Sequence, residues 1–227
     1  MTEQNKDLIY ELLPDDCAEK DISFKIIVIG DSGVGKSSLT NKATRNIFEE
    51  NYHATVGFEF FTFNIKIKNK IISLQIWDTC GQELFRSLIT NFYRNTSLAI
   101  IVYSVTSEES FQDIDMWLKE LRTHANPDVK VILIGNKVDL ENERKISTEE
   151  GEKFSKANKF DKFVETSAKT GINTLSTFVE IAFLLYEDYI KFKDVESSPL
   201  NSKSMQTMES KGTKLVKKKR KKKSGCC

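Results

Sequence analysis

The chain lacks nearly everything that would carry it out of a cell or through a bilayer. Its 227 residues include four cysteines, Cys17, Cys80, Cys226 and Cys227. No two of them form a C-x-x-C pair, and their spacing offers no disulfide framework, which points to a reducing compartment. No apolar run approaches the ~18 residues that a membrane span requires. The opening stretch MTEQNKDLIYELLPDD has no signal-peptide apolar region, and Thr2 stands where N-myristoylation needs glycine. These absences predict a cytosolic protein, or one attached to a membrane by something other than a helix. Internal repeats are also missing.

Charge of one sign is missing from one end only. From Lys211 to Cys227 there are nine Lys or Arg and no acidic residue. The rest of the chain carries 25 basic and 33 acidic residues, a net of −8 concealed by the overall +1. An acidic body argues against a broad nucleic-acid-binding face. The basic run KKKRKKK, Lys217 to Lys223, is compatible with a nuclear address, a nucleic-acid arm or a membrane-surface patch, and does not choose among them by itself.

Apolar residues make up 39% of the chain, enough for one core plus solvated extensions. Residues 1–22 are polar, with an apolar cluster from Leu8 to Leu13 punctuated by Pro14, and read as a loosely ordered extension. Six strands are predicted. FKIIVIG, LAIIVYSV and VKVILIGN read as buried. FEFFTFNIKIKN alternates, with Phe61, Phe63, Ile65 and Ile67 on one face, and reads as lying near a sheet edge. IISLQIW pairs with it through a turn at Asn69-Lys70, and DKFVETSA is the sixth. Helices are predicted from Lys36 to about Asn46, from Ser107 to about His124, where Phe111, Ile114, Trp117, Leu118 and Leu121 recur at helical spacing, and from about Ile172 to Lys193. Strands alternating with helices predict an α/β fold with a mainly parallel sheet, whose ligands sit beyond the carboxyl ends of the strands. From about residue 194 the text is polar and aperiodic, a flexible linker.

The candidate chemistry lies at those strand ends. GDSGVGKSS follows the first strand and fits G-x-x-x-x-G-K-[ST] with Gly30, Gly35, Lys36 and Ser37. Backbone N–H groups of Ser32, Gly33, Val34, Gly35 and Ser38 can cradle phosphate oxygens, helped by the N-terminus of the following helix. Lys36 adds a point charge for the outer phosphates, and the Ser37 hydroxyl can bind Mg²⁺. In WDTCGQE, Asp78 can hold a Mg²⁺-bound water, the Gly81 N–H can approach a γ-phosphate and Gln82 can orient an attacking water. Thr55 can complete the Mg²⁺ shell. In NKVD, the Asp139 carboxylate can accept from guanine N1–H and its exocyclic amine, a donor pair adenine lacks. Asn136 can bind the purine and brace neighbouring loops, and the Lys137 stem can cover the ring face. In ETSAK, the Ala168 N–H can meet guanine O6, supported by Ser167 and Lys169.

Four motifs in this order, each closing a predicted buried strand, make the chain resemble a Ras-superfamily small GTPase over about residues 23–193. TVGFEF, LQIWDTCGQE, FRSLITNFYR and NKVDL are similar to stretches of the Rab branch, and Cys-Cys is a common Rab terminus. No extra helix follows NKVDL as in Rho proteins. The resemblance implies a P-loop NTPase G domain, with a six-stranded mainly parallel sheet and about five helices, followed by a hypervariable tail over 194–227. It makes the loop around Asn51 to Gly57 and the segment from Asp78 to about Tyr93 the two nucleotide-sensing switches. Phe48 would pack on the guanine edge, and Phe60, Trp77 and Phe92 would be the aromatic triad that effectors read. Cys80, Leu84 and Ser104 depart from the family pattern.

The family implies slow intrinsic GTP hydrolysis, on the order of 10⁻⁴ s⁻¹, which an activating protein raises by ~10⁵. No arginine is an obvious finger in cis, so dependence on an activator is expected. The implied partners are an exchange factor, a GTPase-activating protein, effectors, and the prenylation escort and GDP-dissociation inhibitor proteins. Nucleic acid is not among them, and a monomer is expected. Cys226 and Cys227 read as a double geranylgeranylation site which, with the basic run, would anchor the protein to the cytoplasmic face of an intracellular membrane while leaving a cytosolic pool. Two other classes stay open: a non-cycling module that holds guanine nucleotide as a structural ligand, and a Ran-type nuclear GTPase, against which the terminal cysteines argue.

Overall fold

Three short apolar runs that are buried on both faces set the centre of the molecule. A computed structural model describes residues 9–50, 57–79 and 92–197. In chain order the described elements are β1 (Tyr10–Leu13), β2 (Ile22–Ile29), α1 (Lys36–Arg45), β3 (Phe58–Ile67), β4 (Lys70–Thr79), β5 (Leu98–Ser104), α2 (Glu108–Gln112), α3 (Ile114–His124), β6 (Lys130–Asn136), a 3₁₀ turn at Glu141–Glu143, α4 (Thr148–Ala157), β7 (Lys162–Thr166) and α5 (Thr174–Ser197). The chain divides into two units, Met1–Tyr186 and Glu187–Cys227, so the second begins inside α5.

The strands form one sheet in the order β1-β3-β4-β2-β5-β6-β7. β4, β2, β5, β6 and β7 are parallel, while β3 runs antiparallel to β4 and β1 antiparallel to β3. Every residue of β5 is buried, as is every residue of β6 but the first, the pattern of a sheet covered on both sides. Ile27, Ile29, Ala99, Ile101 and Leu133 pack with Ile114, Trp117, Leu118 and Leu121 of α3. The alternate residues Ile26, Val28, Ile100 and Ile132 are equally buried and face the opposite way. Phe178 of α5 meets Phe63 of β3, ring centres 6.0 Å apart.

The α/β sheet with parallel strands agrees with the sequence reading, but the sheet has seven strands, not six. The seventh comes from the stretch expected to be loosely ordered. Tyr10 lies opposite Ile67 and Leu12 opposite Ile65, and the Tyr10 ring meets Phe183 of α5 edge-on. Beyond the strand, Asn64 Nδ2 donates to the Pro14 carbonyl at 2.8 Å and Thr62 Oγ1 to the Asp15 carbonyl at 3.2 Å. Four residues are too few for periodicity to announce a strand. Its pairing partner, which includes the buried Ile65 and Ile67, lies more than fifty positions away. β3 is therefore one strand in from the edge. The single helix expected over 107–124 is two, parted at Asp113, with Ser107 capping the first by accepting from the Ser110 N–H. α4 opens on a capping box formed by Ser147 and Glu150, a pattern that Ser147-x-x-Glu150 displays in the sequence.

Candidate functional site

β2, β4, β6 and β7 all end at the same margin of the sheet, and the loops after β2, β6 and β7 meet there. The loop from Gly30 to Gly35 joins β2 to α1. Gly30 takes φ +136°, and a Cβ there would sit 2.2 Å from the Val102 carbonyl oxygen, so only glycine lets the loop pass β5. Gly33 and Gly35 also have positive φ, +77° and +96°. Lys36 is buried, and its ammonium donates to the Gly30 carbonyl at 2.8 Å and the Asp31 carbonyl at 2.7 Å. α1 starts with Gly35 at its N-cap, with no side-chain cap and no acid in its first turn. Its leading N–H groups therefore present positive potential to an anion. Ser32 and Gly33 are exposed, Val34 is buried and Ser38 half-buried. Backbone N–H groups at a helix start beside a buried ammonium have the polarity that a phosphate requires.

Beside it, the Ser37 hydroxyl donates to Asp78 Oδ2. Asp78 is fully buried at the end of β4, and its other oxygen, Oδ1, has no hydrogen-bond partner. Burial pushes its carboxyl up to about 6, against the opposing pull of the Ser37 hydroxyl and the Lys36 charge. A desolvated carboxylate with an unsatisfied oxygen and a hydroxyl alongside fits a hard divalent cation that takes its remaining ligands from phosphates and water. Among the described residues no group of three His, Cys, Asp or Glu forms a metal cage, so protein carboxylates alone do not make a site. Thr55, Gly81 and Gln82 lie outside the described residues, as do Cys80, Leu84, Cys226 and Cys227.

Side chains build the opposite end of the site. Asn136, buried at the end of β6, donates from Nδ2 to the Val34 carbonyl at 3.0 Å. Its Oδ1 accepts from Thr166 Oγ1 at 3.1 Å and from the Ala168 N–H at 3.2 Å. One amide thus ties the phosphate loop, its own loop and the loop after β7 together. The Ala168 N–H, read from the sequence as a partner for guanine O6, is directed at Asn136. Ser167 Oγ donates to Asp139 Oδ1 at 2.6 Å, holding the carboxylate that would read a base. Lys137 has φ +72° and is partly buried, which lowers its ammonium below the ordinary lysine value. Lys169 forms an ion pair with Glu50 at 3.5 Å, two residues beyond half-buried Phe48.

A second surface lies on β3 and β4. Phe60 meets Trp77 at 5.1 Å and Trp77 meets Phe92 at 5.1 Å, so the three predicted aromatics are in contact. The structure adds two residues that sequence reading missed. Phe58 touches both Trp77 and Phe92 at 5.3 and 4.8 Å while remaining 50% exposed, and the Lys25 ammonium lies 5.6 Å from the centre of the Trp77 ring. Phe58 stands two residues before Phe60, on the same strand face, a signal the sequence did carry. Asp31 and Thr166 were also missed, because their partners lie far along the chain.

The Ras family model matches residues 25–187. The Ras-related protein Rab-11C of Dictyostelium discoideum is 45% identical over 168 residues, 74% of this chain and 75% of that protein. The Ras-related protein RABA1i of Arabidopsis thaliana is 44% identical over 167 residues, 73% of this chain and 76% of its own. The GTP-binding protein ypt3 of Schizosaccharomyces pombe is 46% identical over 160 residues, 70% of this chain and 74% of its own.

Proposed function

Since the chain belongs to the Ras family as a Rab-type small GTPase that binds and hydrolyses GTP, we propose that it works as a membrane-anchored switch that recruits effectors in vesicle trafficking. The observation that carries this reading is where the aromatic surface sits. β3 starts with Phe58 directly after the 51–57 loop, β4 ends at Thr79 directly before the 80–91 segment, and Phe92 follows that segment. A partner gripping Phe60, Trp77 and Phe92 would therefore touch the roots of both segments that sense the third phosphate.

In this reading Ser32 to Ser38 bind the phosphates through backbone N–H groups, and Lys36 places its charge on the outer two. Ser37, Thr55 and Asp78 hold Mg²⁺, which supplies neutralisation of phosphate charge. Gln82 orients the attacking water. Asp139, held by Ser167, selects guanine, with Asn136, Lys137, Ala168 and Lys169 around the base and Phe48 at its edge. Loss of the third phosphate releases Thr55 and the Gly81 N–H, and with them the effector surface. Prenyl groups on Cys226 and Cys227, with the basic run, give the two signals that stable anchoring needs. Exchange factor, activator, escort and GDP-dissociation inhibitor proteins complete the cycle.

The decisive test is the location of an N-terminal fluorescent fusion beside a Cys226→Ser, Cys227→Ser double variant. Signal on a discrete organelle for the first and in the cytosol for the second is the expected result. Nuclear signal from both would overturn the anchoring and make the basic run an address.

A further inference from the structure

Asp31 is a carboxylate set beside an anion site, where Coulomb repulsion works against binding. Whatever it contributes must come through geometry. Its Oδ1 accepts from Trp117 Nε1 at 2.7 Å, across 86 positions of sequence. Trp117 is all but fully buried on the core face of α3, among Ile29, Ile101 and Leu121, and a buried indole N–H needs such a partner. The neighbouring Gly30 is already pinned by its approach to the Val102 carbonyl. The Asp31 carbonyl is one of the two that receive the Lys36 ammonium. Burial raises the Asp31 carboxyl above the ordinary carboxylate range, the Trp117 hydrogen bond opposes that rise, and Asp113, at the junction of α2 and α3, adds to it through its charge and a side-chain hydrogen bond to Asp31.

We infer that Trp117 is a positioning residue for nucleotide binding, its indole N–H holding the Asp31 carboxylate so that the Asp31 carbonyl keeps the Lys36 ammonium over the phosphate cradle. This rests on the cradle being a nucleotide site, as argued above. It makes α3, a helix that supplies none of the motif residues, part of the binding apparatus, and it assigns Asp31 an acceptor's role in which its charge is incidental.

The test is the release rate of a fluorescent GDP analogue from the full chain in Mg²⁺. Trp117→Phe keeps the buried ring and loses the N–H, and release about tenfold faster is expected from the loss of one buried hydrogen bond and the acceptor it leaves unpaired. Asp31→Asn keeps the acceptor and drops the charge, and should release no faster than the parent protein. Asp31→Ala drops both and should release about tenfold faster than Asp31→Asn, a contrast that stands alone if the tryptophan variant fails to fold. On the Asp31→Ala background, Trp117→Phe should add less than twofold. Parent-like release from Trp117→Phe, equal rates for the two Asp31 variants, or an undiminished tenfold effect on the Asp31→Ala background would each overturn the inference. A different result would sink the underlying nucleotide reading: a parent protein that holds no GDP, or a Lys36→Ala variant that holds it as tightly as the parent.

Discussion

The two ends of the proposed nucleotide site are made from different materials. The phosphate end is built from backbone: three glycines with positive φ, the uncapped start of α1 and two carbonyls around Lys36. The base end is built from side chains, with Asn136 joining three loops and Ser167 bracing Asp139. Phosphate is nearly spherical and highly charged, so a ring of N–H groups suffices. A base must be told from other bases by the placement of a few donors and acceptors, and those have to be held by further side chains. Backbone construction is broken by adding an atom, and side-chain construction by removing one.

Predictions follow that contrast, beginning with the largest effect. Asn136→Ala strands the buried Ala168 N–H and Val34 carbonyl. At roughly 1–3 kcal/mol for each unsatisfied group, it should cost about 2–6 kcal/mol of stability in urea unfolding at saturating nucleotide. Gly35→Ala places a Cβ 2.4 Å from Asn136 Nδ2 at φ +96°, so it damages both ends at once. Gly33→Ala, at φ +77° with nothing within 4 Å, should cost only the left-handed backbone penalty of about 1–2 kcal/mol. Equal losses for the two glycine variants in the same unfolding experiment would contradict the division. Ser167→Ala frees Asp139 and should weaken GDP binding about tenfold by calorimetry, the scale of one hydrogen bond to a charged group. The smallest effects lie away from the site. Tyr10→Ala, at a residue 40% exposed, should cost about 1 kcal/mol with GDP affinity unchanged. Glu11→Gln, which removes an exposed pair with Lys66 at 3.9 Å, should change the melting temperature by no more than about 2–4 °C, since such pairs contribute ~0–1 kcal/mol.

What could be read in the sequence follows the same line. The placement of GDSGVGKSS, NKVD and ETSAK at strand ends was legible because each is a short run that closes a strand visible as apolar text. The parallel strands were legible because burial on both faces leaves unbroken apolar text. Pairings between distant residues were not. Trp117 read as one more core position at helical spacing, which it is, but nothing local says that its N–H reaches Asp31. The break at Asp113 was hidden because Phe111 and Ile114 keep one apolar stripe across it. β1 was hidden because its strand character exists only beside Asn64–Ile67.

That first strand also has a bearing on timing. Tyr10–Leu13 are made early, while their partners Asn64–Ile67 are some fifty residues downstream. At a synthesis rate of ~5–20 residues per second, roughly 3–10 s separate the appearance of the strand from that of its place in the sheet. Through that interval the strand has no partner in the sheet, and it closes onto the edge once the β3–β4 hairpin exists to receive it.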